Sequence, residues 1–257
     1  MAQMIARAGF ELHVWARRPE TLQAIEQAGA VPETSLKAMA RSCQLVGVCV
    51  VDDADVEAVV LGDNLLAGMA PGGIVAVHST VHPDTCRRLA QQAEPHGVTL
   101  LDAPVSGGAQ AALSGTLAVM VGGDPEAFEA ARGVFEAYGD PVRWVGEPGT
   151  GQLCKLVNNL LFTANIKLAS QALEMGEALG IDPAALAEVL PASSGRSFAL
   201  DTWMRLRQAK IPMRVQKLLH KDVKLARDAA ERGNVDIGAL SNAADQALEL
   251  LSSETRG

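Results

Sequence analysis

The stretch of residues 146–159, GEPGTGQLCKLVNN, separates two kinds of sequence in this chain. On its N-terminal side, β-branched runs such as residues 45–51 alternate with helix-length segments, which is the pattern of a doubly wound parallel sheet. On its C-terminal side, residues 151–180 place apolar side chains at helical spacing, and helical patterns continue to the end of the chain. We therefore predict an α/β domain over residues 1–148 and an all-helical domain over residues 149–257.

The composition argues against several classes of protein. The 257 residues are 48% hydrophobic and 20% charged, which is enough apolar material for two packed cores. The net charge of −8, with no stripe of Lys and Arg, argues against nucleic acid and against an anionic membrane as partners. No apolar run approaches the roughly 20 residues of a membrane-spanning helix, and the four cysteines form no C-x-x-C pair. We expect a cytoplasmic protein with no membrane partner and no metal site.

The strongest chemical signal is a polar stripe within residues 146–159. Gly151, Lys155 and Asn159 are spaced by four residues, so a helix places them on one face, and Asn158 flanks them. The surrounding residues are almost all apolar, so the stripe is embedded and not solvated. A partly desolvated lysine can donate and accept a proton near neutral pH. The alternative is a surface lysine, which the glycine entry and the paired asparagines disfavour.

A second signal, residues 102–108 (DAPVSGG), directly follows a predicted strand. Ligands of open parallel sheets bind outside the carboxyl ends of the strands. Ser106 offers a hydroxyl, and Gly107 and Gly108 expose backbone N–H groups, so together they can form a nest for a carboxylate. The alternative reading is an ordinary glycine turn.

A weaker signal is the pair Arg17 and Arg18, which follows a predicted strand over residues 10–16. In a dinucleotide-binding fold, an acidic residue at this strand end binds the ribose hydroxyls of NAD, whereas arginine favours the additional phosphate of NADP. No acidic residue stands at this strand end, so NADP is favoured over NAD. The alternative is two solvated arginines.

These motifs resemble those of the β-hydroxyacid dehydrogenase family, over nearly the whole chain and in the same order. The resemblance implies a Rossmann-type NAD(P)-binding domain followed by a helical domain. It places Lys155 on the catalytic lysine and residues 102–108 on the substrate-binding segment, with Asn158 and Asn159 beside the lysine. The positions that it implies for cofactor binding are Val50, Val51, Asp55, Thr80 and Lys221, the last as part of a Lys-Asp pair with Asp222.

The chain departs from the family pattern at its N-terminus. Family members begin with a strand and a glycine-rich loop that binds the pyrophosphate. Residues 1–4, MAQM, resemble the helix that follows that loop. We therefore expect the central first strand and its glycines to lie upstream of Met1 in the native protein.

The resemblance implies an oxidoreductase that transfers a hydride between NAD(P) and a small 3-hydroxy acid or semialdehyde, with a lysine as general acid and base. An imine reductase is one alternative, and Lys155 argues against it. A non-catalytic nucleotide-binding or scaffold protein is another, which the intact Ser106, Gly107 and Gly108 disfavour. The long apolar helix predicts a homo-oligomer, a dimer or a tetramer.

Overall fold

The chain folds into two compact units, Met1–Lys155 and Leu156–Gly257. The structure, a computed structural model, describes residues 1–62, 65–207 and 212–253. The division falls inside a helix, after the boundary at residues 148 and 149 that the sequence predicts, because the first turns of this helix pack with the first unit. Each unit has its own apolar core.

The first unit alternates helices and strands, as the sequence pattern predicts. Its elements are α1 (Ala2–Arg7), β1 (His13–Val14), α2 (Gln23–Glu26), β2 (Val31–Pro32), α3 (Leu36–Ser42), β3 (Leu45–Val48), α4 (Asp53–Glu57), α5 (Leu65–Gly68), β4 (Ile74–Val77), α6 (Pro83–Ala93), β5 (Thr99–Asp102), β6 (Val105–Ser106), α7 (Gly108–Ser114), β7 (Leu117–Gly122), α8 (Pro125–Glu136), β8 (Gly139–Gly146) and the start of α9 (Thr150–Ala178).

The main sheet has six strands, in the order β3-β4-β5-β7-β6, with β8 paired to β7. Strands β3, β4 and β5 are parallel, and all four residues of β4 are buried, which suits a strand covered on both faces. The prediction of a parallel sheet is confirmed for these strands. It does not hold for the other end, where β7 runs antiparallel to β5 and β6. The carboxyl ends of β3, β4 and β5 lie along one edge of the sheet.

Strands β1 and β2 form a separate parallel sheet of two residues each. The strand predicted over residues 10–16 is therefore wrong in its extent, because only His13 and Val14 have partners in a ladder. Phe10, which the pattern assigns to the strand, is an exposed side chain. That a further strand stands upstream of Met1 stays a prediction.

The regular elements of the second unit, within its described residues, are all helices. It contains the rest of α9 and the helices α10 (Pro183–Ala192), α11 (Phe198–Leu206), α12 (Met213–Arg232) and α13 (Gly238–Ser253). Helix α9 has 29 residues, and its buried face contributes Leu160, Ile166 and Leu173 to a core shared with α11, α12 and α13. In the described part of the chain, no helix combines the length and the apolar character needed to cross a membrane.

Candidate active site

The buried carboxylate of Asp102 anchors the start of helix α9 at the end of strand β5. Its Oδ1 accepts a hydrogen bond from the Gly149 N–H at 2.7 Å, and its Oδ2 accepts one from the Gln152 N–H at 2.8 Å. Helix N-termini carry unpaired N–H groups and a partial positive charge, so a carboxylate stabilises them. Burial nevertheless raises the pKa of the Asp102 carboxyl above its ordinary value, and these hydrogen bonds oppose the shift.

Two glycines allow the helix to approach the sheet this closely. A Cβ atom on Gly151 would lie 2.5 Å from the carbonyl oxygen of Met120 and 2.7 Å from that of Asp102. A Cβ atom on Gly122 would lie 2.7 Å from Asp102 Oδ1 and 2.7 Å from the Gly151 nitrogen. Backbone cannot give way as a flexible side chain can, so both positions require glycine for the contact of α9 with the strand ends.

The amide of Gln152 links the same helix to the loop that follows β4. Its Nε2 donates to the Ser79 carbonyl at 2.9 Å, and its Oε1 accepts from the Val81 N–H at 3.1 Å. The Ser79 hydroxyl in turn accepts from the Val50 N–H at 2.8 Å and donates to the Val50 carbonyl at 2.9 Å. Thr80, a predicted cofactor-binding residue, is half-buried in this loop between two residues that Gln152 holds.

Lys155 lies three residues after Gln152 on helix α9, and only 9% of its surface is exposed. The structure thus excludes the alternative of a solvated surface lysine. A lysine is rarely enclosed to this degree unless its ammonium group has partners or a function. Its role in proton transfer stays a prediction. Burial on a helix whose first turn is anchored by Asp102 is compatible with such a role.

The predicted carboxylate-binding segment begins in strand β6. Ser106 is half-buried there and pairs with Ala118 of β7. Gly107 has a φ of 128° and Gly108 a φ of 72°, a backbone conformation that favours glycine, and a Cβ on Gly107 would lie 2.6 Å from that of Ala111. The two glycines are therefore required by the backbone, whether or not their N–H groups bind a ligand.

Two predicted cofactor-binding residues that the sequence analysis treated separately form one ion pair. Arg17 Nη1 lies 2.7 Å from Asp55 Oδ1. The hydrogen bond from Arg17 is the largest of the influences that lower the pKa of the Asp55 carboxyl. The Val51 N–H donates to Asp55 Oδ2 at 3.4 Å, and the side chains of Val51 and Arg18 are exposed. Asp55 thus joins the turn after β1 to the loop after β3.

In the second unit, Asn158 and Asn159 belong to a hydrogen-bonded chain that ends on Asp222. Asn159 Nδ2 donates to Asp222 Oδ2 at 2.6 Å, and Asn158 Nδ2 donates to Asn159 Oδ1 at 2.9 Å. Lys221 Nζ lies 3.6 Å from Asp222 Oδ1. A carboxylate only accepts hydrogen bonds, so Asp222 fixes which end of the Asn159 amide faces helix α12.

The sequence analysis missed the roles of Asp102, Gln152 and Ser79. Each is a buried polar residue, and buried polar groups require hydrogen-bond partners. For Asp102 the available signal is its place at the end of an apolar strand and at the start of the segment 102–108. For Gln152 the signal is a polar residue between Gly151 and Leu153, in the first turn of a helix with a long apolar pattern.

Comparisons with known proteins cover both halves of the chain. Family models described as "NAD binding domain of 6-phosphogluconate dehydrogenase" and "NAD-binding of NADP-dependent 3-hydroxyisobutyrate dehydrogenase" match residues 1–146 and 149–257. The L-threonate dehydrogenase of Cupriavidus necator is 34% identical and covers 100% of this chain and 88% of its own length. The crystal structure of a 3-hydroxyisobutyrate dehydrogenase from Salmonella typhimurium has a TM-score of 0.86 at 26% identity, covering 98% of this chain and 90% of that one.

An imine reductase from Streptomyces aurantiacus is a more distant neighbour. Its TM-score is 0.67 at 19% identity, with 98% of this chain and 92% of that one covered, so the likeness extends to the fold alone. Both halves of the chain match models from one family, and a relative of that family aligns along the whole chain. The resemblance expected from the two motifs is confirmed: the chain belongs to the β-hydroxyacid dehydrogenase family of NAD(P)-dependent oxidoreductases.

Proposed function

We propose that the protein transfers a hydride between NAD(P) and a small 3-hydroxy acid or the corresponding semialdehyde, with Lys155 as the proton-transfer residue. The observation that carries the proposal is the enclosure of Lys155 on a helix whose first turn is anchored by Asp102. Asp102 also begins the segment that contains Ser106, so one residue belongs to one motif by sequence and holds the other by hydrogen bonds. A threonate dehydrogenase and a hydroxyisobutyrate dehydrogenase among the similar proteins support a small hydroxy acid as the substrate.

Lys155 supplies the proton chemistry of this reaction. NAD(P), when bound, would supply the hydride chemistry, in which a hydride is added to or removed from the carbon that carries the reacting oxygen. In reduction, the Lys155 ammonium donates a proton to the carbonyl oxygen, which becomes the hydroxyl. In oxidation, the neutral amine takes that proton from the hydroxyl. Because the lysine is largely shielded from water, competing proton exchange with solvent is restricted.

Uncharged donors bind the acid group in this proposal. We propose that the Ser106 hydroxyl and the N–H groups of Gly107 and Gly108 donate hydrogen bonds to the substrate carboxylate. Asn159, which is one helical turn beyond Lys155, and its neighbour Asn158 donate to substrate oxygens without adding charge.

The residues at the carboxyl ends of β1, β3 and β4 fit a dinucleotide. Val50, Val51 and Thr80 lie in loops after β3 and β4, where parallel sheets bind nucleotides. Arg17 follows β1, and its half-exposed guanidinium is held by Asp55, so it is oriented and still accessible to an anion. We propose that Arg17 and Arg18 bind the ribose phosphate of NADP, which makes NADP the favoured cofactor, and that Lys221 lies near the nicotinamide.

An apolar face of helix α9 supports self-association of the second unit. Exposed apolar residues recur at helical spacing along this face, at Val157, Leu161, Leu168 and Met175, and Leu179 follows directly after the helix. They fall within one side of the helix, and contiguous exposed apolar surface of this kind marks an interface. We propose a homo-oligomer in which two copies of α9 cover each other's apolar face.

The test is a screen of the purified protein with small hydroxy acids and semialdehydes, with NADPH and NADH in parallel, followed by Lys155→Ala. We expect turnover with at least one small acid, and a loss of about a hundredfold or more in kcat in the variant. The dissociation constant for NADPH should be nearly unchanged, because Lys155 acts on the substrate oxygen. Full activity of Lys155→Ala would remove the lysine from the mechanism. NADPH binding without turnover of any acid would instead favour a non-catalytic nucleotide-binding protein.

A further inference from the structure

The side-chain amide of Gln152 forms two hydrogen bonds with the backbone of the loop after β4, in the way that a neighbouring strand would. It is fully buried, and its amide donates to Ser79 O and accepts from Val81 N, the two residues that flank Thr80. Of the side chains of similar length, only an uncharged amide both donates and accepts without the cost of a buried charge. Glutamate lacks the donor when ionised, and leucine lacks both groups.

The backbone of the same residue is fixed from a different strand. The Gln152 N–H donates to Asp102 at the end of β5, while its side chain holds the loop after β4. That loop is held on its other side by Ser79, whose hydroxyl bonds to both backbone groups of Val50 after β3. A continuous set of hydrogen bonds therefore joins the ends of three parallel strands to the first turn of α9.

Lys155 is carried on the same helix, three residues after Gln152. A regular helix transmits the position of one turn to the next, so a shift of Gln152 relative to the β4 loop also shifts Lys155 relative to Thr80. We propose that Gln152 is a positioning residue that keeps the Thr80 loop, where the cofactor binds, in register with Lys155, where the proton is transferred. This inference rests on the proposed function, because it concerns how two parts of that site are kept together.

A purely structural Gln152 makes a different prediction. If Gln152 has only a structural role, Gln152→Leu is less stable than wild type, but the kinetic constants of the folded variant are unchanged. A positioning Gln152 alters both cofactor affinity and turnover while the protein is still folded. The matched control is Ser170→Ala, which removes another hydrogen bond of a buried side chain on helix α9, to Glu174, away from the β4 loop.

The experiment compares wild type, Gln152→Leu and Ser170→Ala at a temperature at which all three are folded by circular dichroism. For Gln152→Leu we expect the dissociation constant of NADPH to rise about tenfold and kcat to fall about tenfold, each the equivalent of one typical hydrogen bond. Ser170→Ala should keep both constants within about twofold. If Gln152→Leu does not fold, Gln152→Met, which has a more flexible side chain of similar length, takes its place.

Hydrogen exchange of the protein without ligand gives a second readout that does not depend on turnover. The amide proton of Val81 should exchange at least about tenfold faster in the variant than in wild type, because it loses its acceptor. If wild type turns over a hydroxy acid and the variant keeps the wild-type NADPH affinity and kcat, the inference is wrong and the proposed function stands. If wild type neither binds NADPH nor turns over any acid, the proposed function itself fails, and faster Val81 exchange would then show only a structural link.

Discussion

The hydrogen bond between Asn159 and Asp222 gives a quantitative prediction, because both residues are buried and the donor–acceptor distance is short. Asn159 Nδ2 donates to Asp222 Oδ2 at 2.6 Å, and the two residues are 9% and 6% exposed. A hydrogen bond to a charged group contributes about 1.5–3 kcal/mol, and a buried group left without a partner costs a comparable amount. Asn159→Ala and Asp222→Ala should each lower the free energy of unfolding by about 2–4 kcal/mol.

The interaction itself is measured with a double-mutant cycle. The double variant should be more stable than the sum of the two single effects predicts, with a coupling energy of about 1.5–3 kcal/mol from urea unfolding curves. The exposed pair Asp228 and Arg232, one turn apart on α12, provides the control, and its cycle should give only about 0.3–0.5 kcal/mol. A coupling of less than about 0.5 kcal/mol between Asn159 and Asp222 would show that the amide is not held by the carboxylate.

Three further predictions concern pH, cofactor choice and assembly. Burial lowers the pKa of His78, so the folded protein keeps this imidazole neutral while the unfolded chain protonates it near pH 6.5. The free energy of unfolding should therefore fall as the pH drops below about 6.5, by at most about 1.4 kcal/mol per pH unit. In urea unfolding, His78→Gln should reduce this pH dependence, and an unchanged slope would mean that other groups cause it. Arg17→Ala should weaken binding of NADPH about tenfold or more in a fluorescence titration and that of NADH by less than about threefold, and equal losses would remove the phosphate contact from the proposal. Leu168→Glu, in the middle of the exposed apolar face of α9, should dissociate the oligomer in sedimentation velocity. Lys167→Glu is the control for added negative charge. If both variants assemble as wild type does, the interface lies elsewhere.

The sequence predicts well those features that repeat along the chain. Strand β4 was evident because every one of its residues is apolar, and α9 because its apolar residues recur at helical spacing for 29 residues. Strands β1, β2 and β6 have two residues each, which is too short for any period to be visible. Their existence depends on a ladder partner, and the antiparallel position of β7 likewise depends on which strand lies beside it.

The candidate site divides in the same way. The enclosure of Lys155 follows from the apolar residues around it on its own helix, so local sequence was sufficient to predict it. The partners of Gln152 lie 71 and 73 positions away, and those of Asp102 lie 47 and 50 positions away. Arg17 and Asp55 were both singled out from the sequence, but their pairing is a property of the folded chain. Contacts at such separations have no signature in a single sequence, because only the fold brings the partners together.

The near-contact of Gly151 with Met120 and of Gly122 with Asp102 limits how this protein can be re-engineered. In a saturation library, both positions should return glycine alone, since the Cβ of even an alanine would lie 2.5 Å from the Met120 oxygen at position 151 and 2.7 Å from the Gly151 nitrogen at position 122. Directed evolution toward bulkier acids therefore has no freedom where α9 meets the strand ends. The variation that it selects should fall instead on the side chains around Ser106 and on the exposed loop at Val51.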